Sequence, residues 1–192
     1  MSSRAHIRRA RPGDEELDAL RELEQRAARR FREFAAAGRD PDLDAILIAI
    51  AASPPMRREQ LERAREEDAL WVLADADDRP LGFAVSSVVD GRAHLDELSV
   101  ALEHGGRGHG GRLLEHVCTI ARARGFSEMS LTTFRDVPWN APFYARRGFA
   151  PMRREQLGPE LRAIQREEQA RGLAARHRVC MRRSLRTVTG SG

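Results

Sequence analysis

No lysine occurs anywhere in the 192 residues, so all 33 basic side chains are arginine. Set against 29 acidic residues they leave a formal net charge of only +4 at pH 7. The sequence pI of 10.2 overstates this charge, because no ammonium group is left to titrate near pH ~10. The arginines are also spread among the carboxylates rather than gathered, so no dedicated nucleic-acid surface is expected. Cysteine is scarce: Cys118 and Cys180 stand far apart with no partner at zinc-ligand spacing. That excludes a disulfide framework and a metal knuckle, and both thiols read as buried and inert. No apolar run exceeds Ala45 to Ala52, far below the roughly 20 residues of a membrane span. The N-terminus lacks the apolar core of a signal peptide, so a cytoplasmic location with no membrane partner is expected.

What is present reads as one α/β domain over residues 1–185 followed by a flexible tail over 186–192. Ala5 to Arg11 suits a short strand closed by Pro12-Gly13-Asp14, after which Leu17, Leu20, Leu23, Ala27 and Phe31 recur at helical spacing. Leu43 to Ala52 is helix or loop, and Met56 to Glu67 is a further helix after the stop at Pro54-Pro55. Leu70 to Ala74 and Leu81 to Val85 are short apolar runs joined by Asp75-Ala-Asp-Asp-Arg-Pro, a hairpin connection. His94 to Val100 reads as strand, Leu113 to Ala121 as helix, Ser127 to Phe134 as strand, and Asn140 to Arg147 as a short helix closed at Gly148. Leu161 to Leu173 is expected to be helical and His177 to Leu185 to be the last strand.

Between the strand ending at Val100 and the helix at Leu113 lies a glycine-rich segment, Gly105 to Gly111. A glycine turn at a helix start leaves backbone N–H groups uncovered at the positive end of the helix dipole, where phosphates bind. Gly106, Gly108 and Gly111 satisfy the dinucleotide pattern G-x-G-x-x-G, but that fold needs an acidic residue about 20 positions later. Leu131 and Thr132 stand there. The loop also follows three strands rather than opening a βαβ unit, so NAD and FAD are disfavoured.

A second pattern fits. The loop resembles that of the GNAT superfamily of N-acetyltransferases, which runs Gln or Arg, x, x, Gly, x, Gly or Ala; Gly105, Gly108 and Gly110 fall on it, with Arg107 and His109 between. The first position departs from the pattern, since Gly105 has no side chain to contact a pyrophosphate, a contact that Arg107 or Arg112 could take over. Downstream, Asn140, Tyr144, Gly148 and Phe149, spaced Asn-x-x-x-Tyr-x-x-x-Gly-Phe, resemble a second segment of the family. The resemblance spans roughly residues 5–152 and implies a mixed, mostly antiparallel sheet with helices on both faces. It further implies acetyl-CoA as co-substrate, with Leu98, Ser99, Val100, Gly105, Gly106, Arg107, Gly108, His109, Gly110, Gly111, Arg112, Asn140 and Phe143 as its contacts.

Acetyl transfer to an amine needs a free lone pair, and an alkylammonium of pKa ~10.4 is almost wholly protonated at pH 7. A base must help. Alternation puts His94, Asp96, Leu98 and Val100 on one strand face and Leu95, Glu97 and Ser99 on the other. Asp96 is the first candidate base and Glu97 the second, with His94 able to extend a water relay. The resemblance assigns Tyr144, the only tyrosine, the protonation of the leaving thiolate. Asn140 reads either as a cap of the short helix or as a contact to the CoA arm. Phe134, Arg135, Asp136 and Trp139 are candidates for an acceptor mouth, and Asp40, Asp42 and Asp44 could attract a cationic amine. The expected activity is direct transfer of acetyl to a primary amine, on a small molecule or a peptide, in a ternary complex without a metal. The rival reading is a CoA-binding sensor that has lost turnover. A monomer and a homodimer are both left open.

Overall fold

Short strands and amphipathic helices alternate in the order the periodicity predicts. The computed structural model describes residues 5–38 and 40–186; of the tail expected over 186–192, all but Arg186 lies outside the described residues. The elements are β1 (His6–Arg9), α1 (Asp14–Ala35), α2 (Pro41–Ala52), α3 (Arg58–Glu66), β2 (Leu70–Ala74), β3 (Pro80–Val89), β4 (Arg92–Val100), α4 (His109–Ala123), β5 (Glu128–Phe134), α5 (Ala141–Ala145), β6 (Ala150–Pro151), α6 (Pro159–Ala170) and β7 (Arg178–Ser184). The strands form one seven-stranded sheet in the order β1-β2-β3-β4-β5-β7-β6. β4 and β5 are parallel, His94 standing opposite Ser130, whereas β1–β2, β2–β3, β5–β7 and β6–β7 are antiparallel. This is the mixed, mostly antiparallel α/β sheet the sequence implied. Among the described residues no helix is long and apolar enough to cross a membrane.

The chain divides into two compact units: residues up to Ser86 with Glu97–His116, and Ser87–Asp96 with the residues from Val117 onward. In the first, α1 lays Leu17, Leu20 and Leu23 against Leu61 and Ala64 of α3 and against Leu70, Val72, Phe83 and Val85 of the sheet. Each such leucine, fully removed from water, contributes roughly 1.5–3 kcal/mol. Alternation turns Trp71 to the opposite face, where its ring meets His116 of α4 edge-on with centroids 4.4 Å apart. α2 is apolar on every side, which is why periodicity alone could not separate helix from loop there. Its start is fixed locally: the Asp40 carboxylate accepts the N–H groups of Asp42 and Leu43 at 3.1 and 3.2 Å, with Pro41 in the first turn. Asp40 is thus engaged as a helix cap.

In the second unit α4 and α6 meet opposite faces of β5. Cys118 of α4 lies 3.6 Å from the Met129 sulfur, while Thr132 donates to Glu168 of α6 at 2.6 Å. α6 also covers Val89 and Cys180 through Leu161 and Ile164. Both cysteines are buried and form no disulfide, and burial pushes the Cys180 thiol up to about 11, which keeps it protonated and inert. The two-residue β6 was not foreseen; at that length it carries no periodic signal.

The start of α6 is closed by a residue remote in sequence. Its flanking residue is Gly158, which has no side chain to cap with. Instead Asp90, in the β3–β4 turn at φ +50°, accepts the N–H groups of Glu160 and Leu161 at 3.0 and 3.1 Å. The Glu160 carboxylate in return accepts the Asp90 N–H. A Cβ at position 158 would overlap the Asp90 carboxylate, so glycine is required there by close approach. Asp90→Ala is expected to lower stability by about 1–2 kcal/mol, as loss of a helix cap does. Gly158→Ala should destabilise in wild type but much less in the Asp90→Ala background. Urea denaturation of the two single variants and the double variant measures this coupling, and additive losses would show that the two positions do not act together.

Candidate active site

The glycine segment folds as expected from its left-handed positions. After a 3-10 turn at Leu102–His104, Gly106 and Gly108 take φ +73° and +79°, a region L side chains rarely adopt. A Cβ at either would meet no atom within 4 Å, so it is conformation rather than crowding that calls for glycine, and the loop backbone is left bare. Gly105 differs: its φ is an ordinary −62°, and a Cβ there would lie 3.1 Å from the Leu102 carbonyl oxygen. α4 begins with the bond from Arg112 N–H to Gly108 C=O at 3.0 Å. The N–H groups of His109, Gly110 and Gly111 therefore have no acceptor within the helix.

Within residues 105–112 the side chains are cationic or neutral. Arg107 is exposed. Arg112 donates to the Ala5 carbonyl at 2.7 Å, which directs it to β1. His109 has its pKa lowered by burial and then by Arg112, His104 and Arg107, and its Nδ1 is buried with no hydrogen-bond partner among the described residues. Among the described residues no three His, Cys, Asp or Glu side chains gather into a group able to hold a metal ion.

On β4 the two candidate carboxylates part company. Asp96 is exposed and accepts the Ser87 hydroxyl at 2.9 Å. Glu97 is partly buried, and its Oε1 accepts both the Leu98 N–H at 3.1 Å and the Ser99 hydroxyl at 2.8 Å. Burial raises the Glu97 pKa, against those two hydrogen bonds. Leu98 and Val100 are half-buried and Ser99 is buried. Gly82 of β3 makes room for this stretch: a Cβ at 82 would stand 2.6 Å from the Ser99 carbonyl oxygen. A third carboxylate, Glu24 of α1, was missed in the sequence. Burial and then the charge of Glu97 push it up to about 8, against the Met56 N–H and Arg21. The available signal was its position four residues after Leu20 and three before Ala27, on the apolar stripe of the helix.

The second motif builds a compact aromatic turn. Tyr144 is only 8% exposed and meets Phe143 and Phe149 edge-on, with centroids 5.0 and 5.7 Å apart. Gly148, at φ +82°, lets the Phe149 N–H return to the Tyr144 carbonyl at 3.2 Å. Asn140 flanks α5, but its side chain makes no cap bond; its Nδ2 donates to Thr133 at 2.8 Å. Its Oδ1 is buried with no partner among the described residues. Of the four mouth candidates, Phe134 is buried beneath the Arg178 guanidinium, 4.7 Å above its ring. Arg135 is exposed and donates to the carbonyls of Arg176 and Arg178 at 3.3 and 3.2 Å. Asp136 is exposed and Trp139 half-buried. Asp44 of α2 is 9% exposed.

The sequence model of the acetyltransferase (GNAT) family matches residues 18–149. Among solved structures, the chain is similar to an N-acetylglutamate synthase from Neisseria gonorrhoeae complexed with coenzyme A and N-acetyl-glutamate, at TM-score 0.63 and 19% identity over 97% of this chain. It spans only 36% of that protein's length. It is similar to the PaiA N-acetyltransferase of Thermoplasma acidophilum in complex with coenzyme A, at TM-score 0.59 and 17% identity, covering 94% of this chain and 99% of the other. The ribosomal-protein-S18-alanine N-acetyltransferase of Escherichia coli gives TM-score 0.61 and 16% identity, covering 98% and 99%. At these identities the likeness is one of fold.

His94 offers a measurement on the free protein. It is 3% exposed, its Nδ1 lies 2.9 Å from the Ser130 hydroxyl, and burial lowers its pKa to about 4 despite the charges of Glu168 and Asp90. The folded ring is therefore neutral where the unfolded one has begun to protonate. Its contribution to stability is fully present above the unfolded value of 6.5 and is lost as pH falls towards about 4. At about 1.4 kcal/mol per unit the loss reaches at most about 3 kcal/mol. His94→Gln should flatten this limb in urea titrations at stepped pH, and an unchanged slope would mean that the acid loss arises elsewhere.

Proposed function

Because the chain belongs to the acetyltransferase (GNAT) family, we propose that it transfers an acetyl group from acetyl-CoA to a primary amine by direct attack. The observation that carries this reading is the start of α4, where three N–H groups lie free behind two positive-φ glycines. Those donors, with the helix dipole behind them, suit the pyrophosphate of CoA, with Arg107 as the nearby exposed cation. Leu98, Ser99 and Val100 offer backbone groups to the pantetheine arm, as an added strand would pair. Asn140 supports the same reading: its buried Oδ1 awaits a donor, which a cap residue would not need.

Two groups then handle protons. Asp96 was the first candidate because the resemblance puts the base on its strand face, but Glu97 is supported better, since a half-buried carboxylate of raised pKa takes up a proton more readily at neutral pH than an exposed one. Glu97 accepts a proton from the ammonium, directly or through one water. The freed lone pair attacks the thioester carbon, the now cationic nitrogen releases its second proton to solvent, and the C–S bond breaks as the amide forms. Tyr144 gives its phenolic proton to the departing thiolate and regains one from solvent. The chain itself carries no side-chain amine, so lysine self-acetylation does not arise. The sensor reading draws on Gly105, where a side chain would be crowded, and on the engagement of Arg112 with Ala5; it requires CoA binding without turnover. The acceptor, a small-molecule or a peptide amine, is separated by a thiol-release assay over a broad amine panel, and silence with every amine would favour the sensor.

Acetyl-CoA at ~100 times its dissociation constant should stabilise the protein by about 2.7 kcal/mol in thermal shift, and NADH should not. Gly108→Val should remove the CoA shift, since a β-branched residue resists φ +79°. An undiminished shift in that variant would put the pyrophosphate elsewhere.

With an active acceptor, Glu97→Gln is expected to cut kcat/KM by roughly 10²–10⁴ while Asp96→Asn has little effect, and Tyr144→Phe should lower kcat similarly without changing acetyl-CoA affinity. The reverse ranking of the two carboxylates would return the base to Asp96.

A further inference from the structure

Glu97 carries its carboxylate on a stretch of β4 whose backbone is pinned. Gly82 lets β3 approach so closely that a Cβ there would stand 2.6 Å from the Ser99 carbonyl oxygen and 3.2 Å from the Val100 Cα. Just beyond, the Ala101 N–H donates to the Leu81 carbonyl at 2.9 Å. Ser99 therefore projects its hydroxyl from a fixed Cα. Alternation places that hydroxyl on the same strand face as the residue two positions earlier, which is Glu97.

The Ser99 side chain is withdrawn from water, at 8% exposed, and a hydroxyl so placed needs a partner. Among the described residues its hydrogen bond goes to Glu97 Oε1, which accepts it at 2.8 Å and also accepts the Leu98 N–H at 3.1 Å. Both donors reach one oxygen. Oε2 has no hydrogen bond among the described residues, so the carboxylate has one oxygen fixed and one left to take a proton. Rotation about the Cγ–Cδ bond, otherwise broad for glutamate, would break both contacts.

A carboxylate drawn partly out of water tends to keep a proton, and a base that is already protonated cannot accept one. Among the described residues Glu97 forms no ion pair to oppose this. It bears on Glu24 of α1, another carboxylate, whose charge favours the protonated form as well. The Ser99 hydroxyl and the Leu98 N–H favour the ionised form, against burial. The Leu98 N–H is backbone and would be present with almost any residue there; the hydroxyl is specific to the side chain at 99.

We propose that Ser99 is a positioning residue for the base: its hydroxyl fixes Oε1 of Glu97, which keeps Oε2 turned to the acceptor amine and the carboxylate ionised until that amine arrives. This rests on the reading of Glu97 as base. During transfer the Ser99 proton stays on its own oxygen. The acceptor ammonium gives its proton to Oε2, and the nitrogen keeps the electron pair it needs for attack. The Ser99 side chain acts only by way of Glu97, and the backbone groups of 99 are left in place when that side chain is changed.

The test is a carbon-13 titration of the Glu97 carboxyl in wild type, Ser99→Ala and Ser99→Thr, with Glu97→Gln to assign the signal and kcat/KM followed over the same pH range. Ser99→Ala should move the Glu97 titration and the acid limb of kcat/KM up together by about one pH unit, the size expected for one hydrogen bond to a charged group. At a fixed pH on that limb kcat/KM should fall about tenfold and recover at higher pH, with acetyl-CoA affinity unchanged. Ser99→Thr keeps a hydroxyl on the same Cβ and should return both curves to wild type. A mere loss of packing would lower the melting temperature without moving the Glu97 titration. A Glu97 titration that stays put in Ser99→Ala, a limb that stays while the carboxyl moves, or a threonine variant no better than alanine would each overturn the positioning role. Full turnover in Glu97→Gln would instead overturn the base assignment beneath it, and the carboxyl titration, read without turnover, would still decide whether Ser99 holds Glu97.

Discussion

Backbone N–H groups in the first turn of a helix have no partner inside it, and how each helix meets that deficit decides what its start can do. α2 meets it with the adjacent Asp40 side chain. α3 uses the reciprocal contact in which Gln60 accepts the Arg57 N–H. α6 has a glycine where a cap would stand and draws on Asp90, far away in sequence. α4 alone of these four is preceded by glycines in left-handed conformation, Gly106 and Gly108, and among the described residues no side chain bonds the N–H groups of its first turn. The same physical shortage that elsewhere consumes a carboxylate thus becomes, at α4, a place for an anion.

Charge is arranged on a similar principle. With arginine as its only long cation, the chain pairs carboxylates through planar forks: Arg8 spans Glu16 and Asp78, and Glu128 is shared by Arg92 and Arg182. Such forks favour several contacts per guanidinium over a freely moving point charge. Glu24 and Glu97 stand outside this pattern, each bound by N–H or O–H donors rather than by a guanidinium. Neutral donors favour a carboxylate's ionised form less than a cation does, which is why burial dominates at both positions.

Much of the architecture was legible because it is local. Leu17, Leu20 and Leu23 announce α1 by spacing, Asp75 to Pro80 announces the hairpin by turn chemistry, and the two glycine motifs announce the loop and the end of α5. What escaped was set by contacts remote in sequence. Alternation separated Asp96 from Glu97 but carries no information on which face is covered; the resemblance pointed to the face of Asp96, which the structure shows to be the exposed one. Asn140 has the composition of a cap, yet its amide turns to Thr133, a residue on another element. Phe134 looked like a mouth residue from its place at a strand end; the arginine that covers it comes from β7. Glu24 was hidden by abundance, one carboxylate among the many charges of α1, marked out only by its place on the apolar stripe.

The Asp90 and Gly158 contact bears on how this sequence can change over time. Aspartate at 90 crowds any side chain at 158, and glycine at 158 leaves the closing of α6 to the carboxylate at 90. Neither position is free to drift alone. A lineage could abandon the arrangement only through a weakened intermediate, or by first placing a serine or aspartate cap at 158 after position 90 had become small. Among descendants of this chain the two sites should therefore exchange together, and a glycine at 158 without an acid at 90 would be the trace of a passage still incomplete.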